Sequence, residues 1–293
     1  MLRSERAIRR KIRAVQKIQQ ITRAMRAVAA ARLRRVRAKV EAGRPYYEGM
    51  RAALARVSVQ AEQIEHPLLA VRPVATACVV AIGGDRGLCG SYNANLGRAA
   101  HHLLEGLAQE GVESVVVTVG RKARDFLRYR GITPARHFPQ LSPESTVADA
   151  SVVARHVRGL YESGHVDEVR IVYTRFISPM EHRASDVTLL PLQPPDVGEH
   201  LAAQVEYIFE PAPERLLSHL LPRYFDTQLY HLLLEAMASE QGARMVAMTA
   251  ATDNAGEIIE HLTLARNTAR QHQITRELLD IVGGAEALRH SVA

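Results

Sequence analysis

Tryptophan is absent from this 293-residue chain, and cysteine occurs only twice, at Cys78 and Cys89. Two thiols cannot build a disulfide scaffold, so the fold must rest on a packed core. Aromatic residues make up only 5% of the chain. No apolar run approaches the roughly 20 residues that a membrane-spanning helix needs. The N-terminus is charged and has no apolar stretch of the signal-peptide kind, which leads to the expectation of a bacterial-type cytoplasmic chain. Acidic residues are scarce at the start. Residues 1–60 hold Glu5, Glu41 and Glu48 against 17 Lys and Arg, a net +14 within a chain whose total is +7. Proline is missing from the first 44 and the last 71 residues, since all 13 prolines fall between Pro45 and Pro222.

What is present is ordinary globular composition, 47% hydrophobic and 24% charged, which excludes a wholly disordered chain. Two proline-free ends flanking a proline-bearing middle point to long terminal helices with a globular insert. The basic excess belongs to the first of these helices. It calls for an anionic partner or for a helix exposed over much of its length.

In the N-terminal arm the apolar residues are Ile8, Ile12, Val15, Ile18, Ile21, Met25, Val28, Leu33, Val36 and Val40. Their steps average about 3.6, so the spacing predicts one narrow helical stripe, the pattern of a coiled coil. Forty residues would span about 60 Å. Gly43 and Pro45 are expected to bend or end the helix, with a kinked continuation to about Val57.

The C-terminal arm is expected to start near Arg223. Its seam reads Leu229, Leu233, Ala236, Ala243, Ala247, Ala251, Ala255, Ile258, Leu262, Ala265 and Ala269. Alanines at four-residue steps let another backbone approach closely. Neither arm can bury its stripe alone, so the two are expected to wind round each other antiparallel. The second arm is longer, at about 105 Å. Its end should project, leaving Ile274, Leu278, Ile281, Val282 and Leu288 in need of an apolar partner outside this chain.

The middle alternates. Val74–Ile82, Ser114–Val119, Val169–Thr174 and Val187–Leu190 read as strands. Asn95–Glu110, Lys122–Arg130 and Val147–Ser163 read as helices. This order predicts a small α/β domain with a mainly parallel sheet. The expected whole is a mixed α+β and α/β fold: a long antiparallel coiled coil of N- and C-terminal helices with an inserted Rossmann-like α/β domain. Its expected divisions are residues 1–57, 74–210 and 214–293.

No chemistry-bearing motif stands out. The run Gly83-Gly84-Asp85-Arg86-Gly87-Leu88-Cys89-Gly90 follows a strand, but it fits neither phosphate-loop spacing and reads better as a tight strand-to-helix turn. Cys78 and Cys89 lack Cys-x-x-Cys spacing and read as one buried and one loop cysteine. The thirteen histidines show no metal-ligand spacing, and the adjacent His101 and His102 read as surface residues. The basic arm could bind nucleic acid through phosphates, but it has no interleaved aromatics and no base-reading module. A nucleotide-dependent enzyme would rest on the glycine loop alone. No nucleophile–base pair appears, so no catalytic residue, cofactor or metal is assigned.

The stretch Ile8–Arg37 resembles the N-terminal helix of the gamma subunit of F-type ATP synthase. Arg44-Pro45-Tyr46 and Asp85-Arg86-Gly87-Leu88-Cys89-Gly90 are similar to the same family. So are Ser239-Glu240-Gln241 with Arg244–Met248, Ala250–Ala255, and the block holding Asn267, Ala269-Arg270-Gln271, Ile274-Thr275, Glu277, Ile281 and Gly283-Gly284-Ala285. The blocks run in order through nearly the whole chain. Two departures stand out: Gly90-Ser91-Tyr92-Asn93 replaces a more usual second Gly and apolar residue, and the end runs a few residues past the usual apolar stop. No cysteine-bearing insertion of the chloroplast kind is present.

The resemblance implies a central-stalk rotor with no catalytic site of its own. Its terminal helices would turn inside a hexamer of alpha and beta subunits. Its α/β domain would form a foot beside the epsilon subunit and the ring of c subunits. The chain would be a peripheral protein on the cytoplasmic face of the cell membrane. The resemblance also implies roles for six residues. Met25 would lie where the shaft meets an acidic segment of beta, and Arg270 and Gln271 would contact a beta-subunit loop. Arg244, Thr275 and Glu277 would help couple the upper and lower shaft contacts.

Overall fold

The computed structural model describes residues 5–60, 66–193 and 212–292. They form five helices longer than one turn, α1 (Glu5–Gln60), α2 (Tyr92–Gln109), α3 (Arg121–Tyr129), α4 (Val147–Glu162) and α5 (Pro213–Val292), and five strands. The strands are β1 (Thr76–Ile82), β2 (Glu113–Val119), β3 (Arg136–Phe138), β4 (Glu168–Phe176) and β5 (His182–Leu190). The short strand β3 and the 3-10 turn Pro67–Leu69 have no counterpart in the sequence reading. The expected seam residue Leu288 lies beyond the described side chains.

The helices pass through both expected break points. α1 runs on through Gly43 and Pro45 to Gln60. A proline inside a helix removes one N–H and frees one carbonyl. Residues 41–46 are all exposed, so water can take that carbonyl. α5 begins ten residues before Arg223, with Pro213 in its first turn, where a missing N–H has no helical partner to lose. Pro222 lies inside it, one turn after the exposed Ser218.

The chain divides into two compact units. One comprises Ala29–Val246 and holds the sheet. Its strand order is β3-β2-β1-β4-β5. β1 pairs in parallel with β2 and β4, β2 pairs in parallel with β3, and β5 closes the edge antiparallel to β4. β1 is buried throughout from Ala77 to Ile82, as a central parallel strand covered on both faces should be. Alternate side chains serve the two faces. Ala77, Val79 and Ala81 pack with Leu96, Ala100 and Leu104 of α2 and with Ala123 and Leu127 of α3. Cys78, Val80 and Ile82 join the larger core, with Val153 and Val157 of α4, Leu54 of α1 and Phe225 and Leu229 of α5. In the same unit α1 and α5 run antiparallel. Leu33 and Val36 cluster with Leu234, Met237 and Ala238, and Tyr47 stacks on Tyr224 and His231 at 6.1 and 5.9 Å.

The other unit comprises α1 up to Val28 with α5 from Ala247. Here too the helices pair antiparallel. The Thr252 hydroxyl donates to the Thr22 hydroxyl at 2.7 Å, and Gln19 Nε2 donates to the Thr252 carbonyl at 3.4 Å. The seam on α1 differs from the expected one. Ile8 and Ile12 are buried, but Ile18, Ile21 and Val28 are 53%, 58% and 52% exposed, and Gln19, Thr22 and Ala29 take the inward positions. The reason is angular. From Ile12 to Ile21 the apolar residues advance in three steps of three, and at about 100° per residue this carries them roughly half-way round the helix. An average step of 3.6 conceals that drift.

On α5 the expected seam residues Leu229, Leu233, Ala236, Ala243 and Ala255 are buried, but Ala247 and Ala251 are only half-buried, Ile258 is exposed, and Met248 and Thr252 take inward positions. Every residue from 270 to 285 is exposed, including Ile274, Leu278, Leu279, Ile281 and Val282.

Candidate functional site at the junction of α5 with the sheet

Five residues on consecutive turns of α5 engage the carboxyl ends of the strands. The Tyr92 hydroxyl donates to the Ala236 carbonyl at 3.1 Å. Glu235 accepts the Phe176 backbone N–H at 3.0 Å, and the Ser239 hydroxyl donates to the Thr174 carbonyl at 2.8 Å. Glu240 accepts from Gln140 and, at 2.5 Å, from Arg244, which also donates to the Gly87 carbonyl at 3.3 Å.

The glycine run is the other half of this junction. Gly83 donates its N–H to the Val119 carbonyl, Gly84 to Asn93 Oδ1 and Asp85 to Gln140 Oε1, at 2.8, 3.0 and 3.0 Å. These three amides are therefore engaged within the chain, and the run is the strand-to-helix turn expected from its spacing. Close approach calls for glycine at Gly84 and Gly120. A Cβ on Gly84 would meet Glu240 Oε1 at 2.9 Å, and Gly120, at φ +88°, approaches so closely that a Cβ would stand 2.1 Å from the Gly83 carbonyl oxygen.

Burial shapes the titrating groups around it. It drives the Tyr92 phenol well above its ordinary range, and the Glu240 charge adds to that. It pushes the Cys78 thiol up to about 12 and raises Cys89 as well. Both cysteines are buried and unbridged; Cys78 lies in β1 and Cys89 in the loop that follows it, as expected. Among the described residues no cluster of His, Cys, Asp and Glu could hold a metal ion.

The six residues singled out in the sequence fall in different settings. Arg244 is turned inward, in the junction just described. Met25 is half-buried on α1. Arg270, Gln271, Thr275 and Glu277 share the exposed stretch of α5. There the Thr275 hydroxyl donates to the Gln271 carbonyl at 3.0 Å and Glu277 accepts from Gln273 at 2.9 Å. The sequence reading assigned no role to Glu240, Gln140, Ser239 or Tyr92. One signal was available: Glu240 and Arg244 stand four apart in a run of small residues, where an ion pair has no solvent-facing reason to be.

The motif blocks that lie far apart in sequence, 85–90 and 239–248, thus meet in one place. Comparison with known proteins finds one family. The pattern of the family described as ATP synthase matches residues 4–288. The chain is 47% identical over 292 residues to the ATP synthase gamma chain of Symbiobacterium thermophilum, covering 99% of this chain and 100% of that one. It is 46% identical over 285 residues to the gamma chain of Desulfitobacterium hafniense, covering 97% and 99%. Among solved structures, a chain of the Euglena gracilis mitochondrial ATP synthase (OSCP/F1/c-ring) shares its fold, with a TM-score of 0.65 at 18% identity, covering 98% of this chain and 95% of that one. A chain of the Tetrahymena thermophila mitochondrial ATP synthase central stalk and c-ring does so with a TM-score of 0.59 at 21% identity, covering 79% and 99%. Identity near one half over the whole length places this chain in the ATP synthase gamma chain family.

Proposed function

We propose that this chain is the central-stalk rotor of an F-type ATP synthase. It couples ion-driven rotation of the membrane ring of c subunits to conformational change and ATP synthesis at the catalytic sites of the beta subunits. The paired helices act as the shaft inside the alpha–beta hexamer. The α/β domain acts as the foot, beside the epsilon subunit and the c-ring. Residues 1–57, 74–210 and 214–293 are the corresponding divisions. ATP binding and bond formation belong to the partner subunits, and this chain needs no cofactor.

The carrying observation is the stretch 270–285. About four helical turns are exposed, with Ile274, Leu278, Leu279, Ile281 and Val282 open to solvent. A contiguous apolar surface of this kind calls for an external partner, and a hydrophobic bearing supplies one. Ile18, Ile21 and Val28 add a second exposed apolar strip on α1. The Arg- and Lys-rich remainder of that helix suits acidic surfaces. Exposed ion pairs contribute only about 0.2–1 kcal/mol each, and contacts that must break at each step of rotation need to be of this weak kind. Met25, Arg270 and Gln271 are read as contacts with beta, and Thr275 and Glu277 as coupling positions with Arg244. No helix among the described residues is long and apolar enough to cross a membrane. A peripheral position on the cytoplasmic face of the cell membrane fits that.

Co-expression with the cognate alpha and beta chains tests the reading. A single copy of this chain should co-purify with each hexamer. Hexamers that assemble and exclude it would overturn the proposal.

A further inference from the structure

The order of the sheet reverses beside β1, since β2 and β3 lie to one side of it and β4 and β5 to the other. In open α/β sheets the crevice at the carboxyl ends of the strands at such a point is where a ligand binds. In this chain α5 fills it. Ala236 and Ser239 are tied to Tyr92 and to Thr174 at the end of β4, and Glu240 lies against Gly84 just past β1. We propose that this filled crevice is the joint through which turning force passes between the α/β domain and α5, with Glu240 as the positioning residue that sets the rotation and register of the helix. The proposal rests on the rotor reading and extends it to a specific contact.

Small side chains alone cannot do this work. Ala236, Ala238 and Ala243 are buried on α5, and Gly242 packs against Pro179 and Phe176. Such contacts are non-directional. An alanine surface also offers nearly the same face again after a one-turn slide. Hydrogen bonds to a buried carboxylate are directional. Glu240 receives hydrogen bonds from Gln140, which follows β3, and from Arg244, which is itself anchored on the glycine loop. Advancing α5 by a single residue turns it by about 100°; Arg244 travels with Glu240, but the carboxylate loses Gln140 and the guanidinium loses the Gly87 carbonyl, leaving buried polar groups short of a partner. A well-packed apolar pair could match the ion pair for stability. What the bonds from this pair to Gln140 and Gly87 add is a unique seating, and a joint under torque requires one.

The test uses the complete ATP synthase in sealed vesicles, comparing wild type with Glu240→Ala and Gly84→Ala. The second variant leaves Glu240 and Arg244 in place but puts a methyl group against the carboxylate, so it also serves if Glu240→Ala does not fold. Hydrolysis of ATP and ATP-driven ion uptake are measured together. The joint predicts that ions moved per ATP fall severalfold in both variants while hydrolysis stays close to wild type. An unchanged ratio, whether both activities persist or both decline in step, overturns it, because loss of folded complex lowers the two together. A wild-type complex that hydrolyses ATP without any ion uptake would instead strike the rotor reading, and the joint with it.

Discussion

Glu240 and Arg244 pair at 2.5 Å one turn apart on α5, with 2% and 8% of their side chains exposed. Neither can turn to water if the other is removed. Arg244→Met should therefore destabilise the chain by about 3–5 kcal/mol, the cost of leaving one buried charge uncompensated. The double variant Glu240→Leu with Arg244→Met should recover most of that loss. Urea midpoints of the full-length chain check both. A double variant no more stable than the single one would show that hydrogen bonds to Gln140 and Gly87, rather than the charges, dominate.

Gly120 tests the fit between the first two strand ends. It sits at φ +88°, and a Cβ there would stand 2.1 Å from the Gly83 carbonyl oxygen. The obstacle is backbone and cannot swing aside. Gly120→Ala should cost about 1–3 kcal/mol through overpacking, read as a drop in melting temperature. Gly106→Ala is the control, since nothing lies within 4 Å of its added Cβ.

Three histidines give the foot a pH dependence. Burial lowers the pKa of His66, His137 and His156 below the ordinary 6.5, with Arg124 and Arg136 adding to the effect at the last two. His66 Nδ1 also accepts the Leu68 N–H at 3.1 Å, a bond that protonation of that nitrogen would break. The unfolded chain thus takes up protons before the folded one does. Stability is complete above pH 6.5 and is lost as pH falls through the lowered values. Urea unfolding as a function of pH should show that decline, and His137→Gln with His156→Gln should flatten it. A decline equally steep in the double variant would assign it to other groups.

Arg270 and Gln271 lie on the exposed part of α5. Arg270→Ala with Gln271→Ala should leave the melting temperature of the isolated chain within about 0.5 kcal/mol equivalent of wild type while lowering the turnover of the assembled enzyme. Wild-type rates of both synthesis and hydrolysis would remove these residues from the contact with beta.

Much of the architecture was open to reading along the chain. Short apolar runs with β-branched residues marked β1 and β2, and proline-free ends marked α1 and α5. Residues at helix and strand ends were harder. Pro45 read as a bend or an end, and the second arm read as starting only after Pro222, because isolated sequence gives no account of where a freed carbonyl can find water. β3 is three residues long and has no period to detect. Ile18 and Ile21 looked like seam residues because their spacing is helical on average, while the angle they reach depends on the order of the steps.

The local sequence determined which segments would be helix or strand, since propensity and periodicity act between near neighbours. It also carried the family, because the ordered motif blocks are themselves sequence. Tertiary structure alone decided which face of each long helix turns inward, and that Glu240 meets Gln140 and Arg244 meets Gly87. Those pairings join residues about 100 and 157 positions apart. Nothing in the local chain energetics selects one distant partner over another; burial does so, by making every unpaired charge costly.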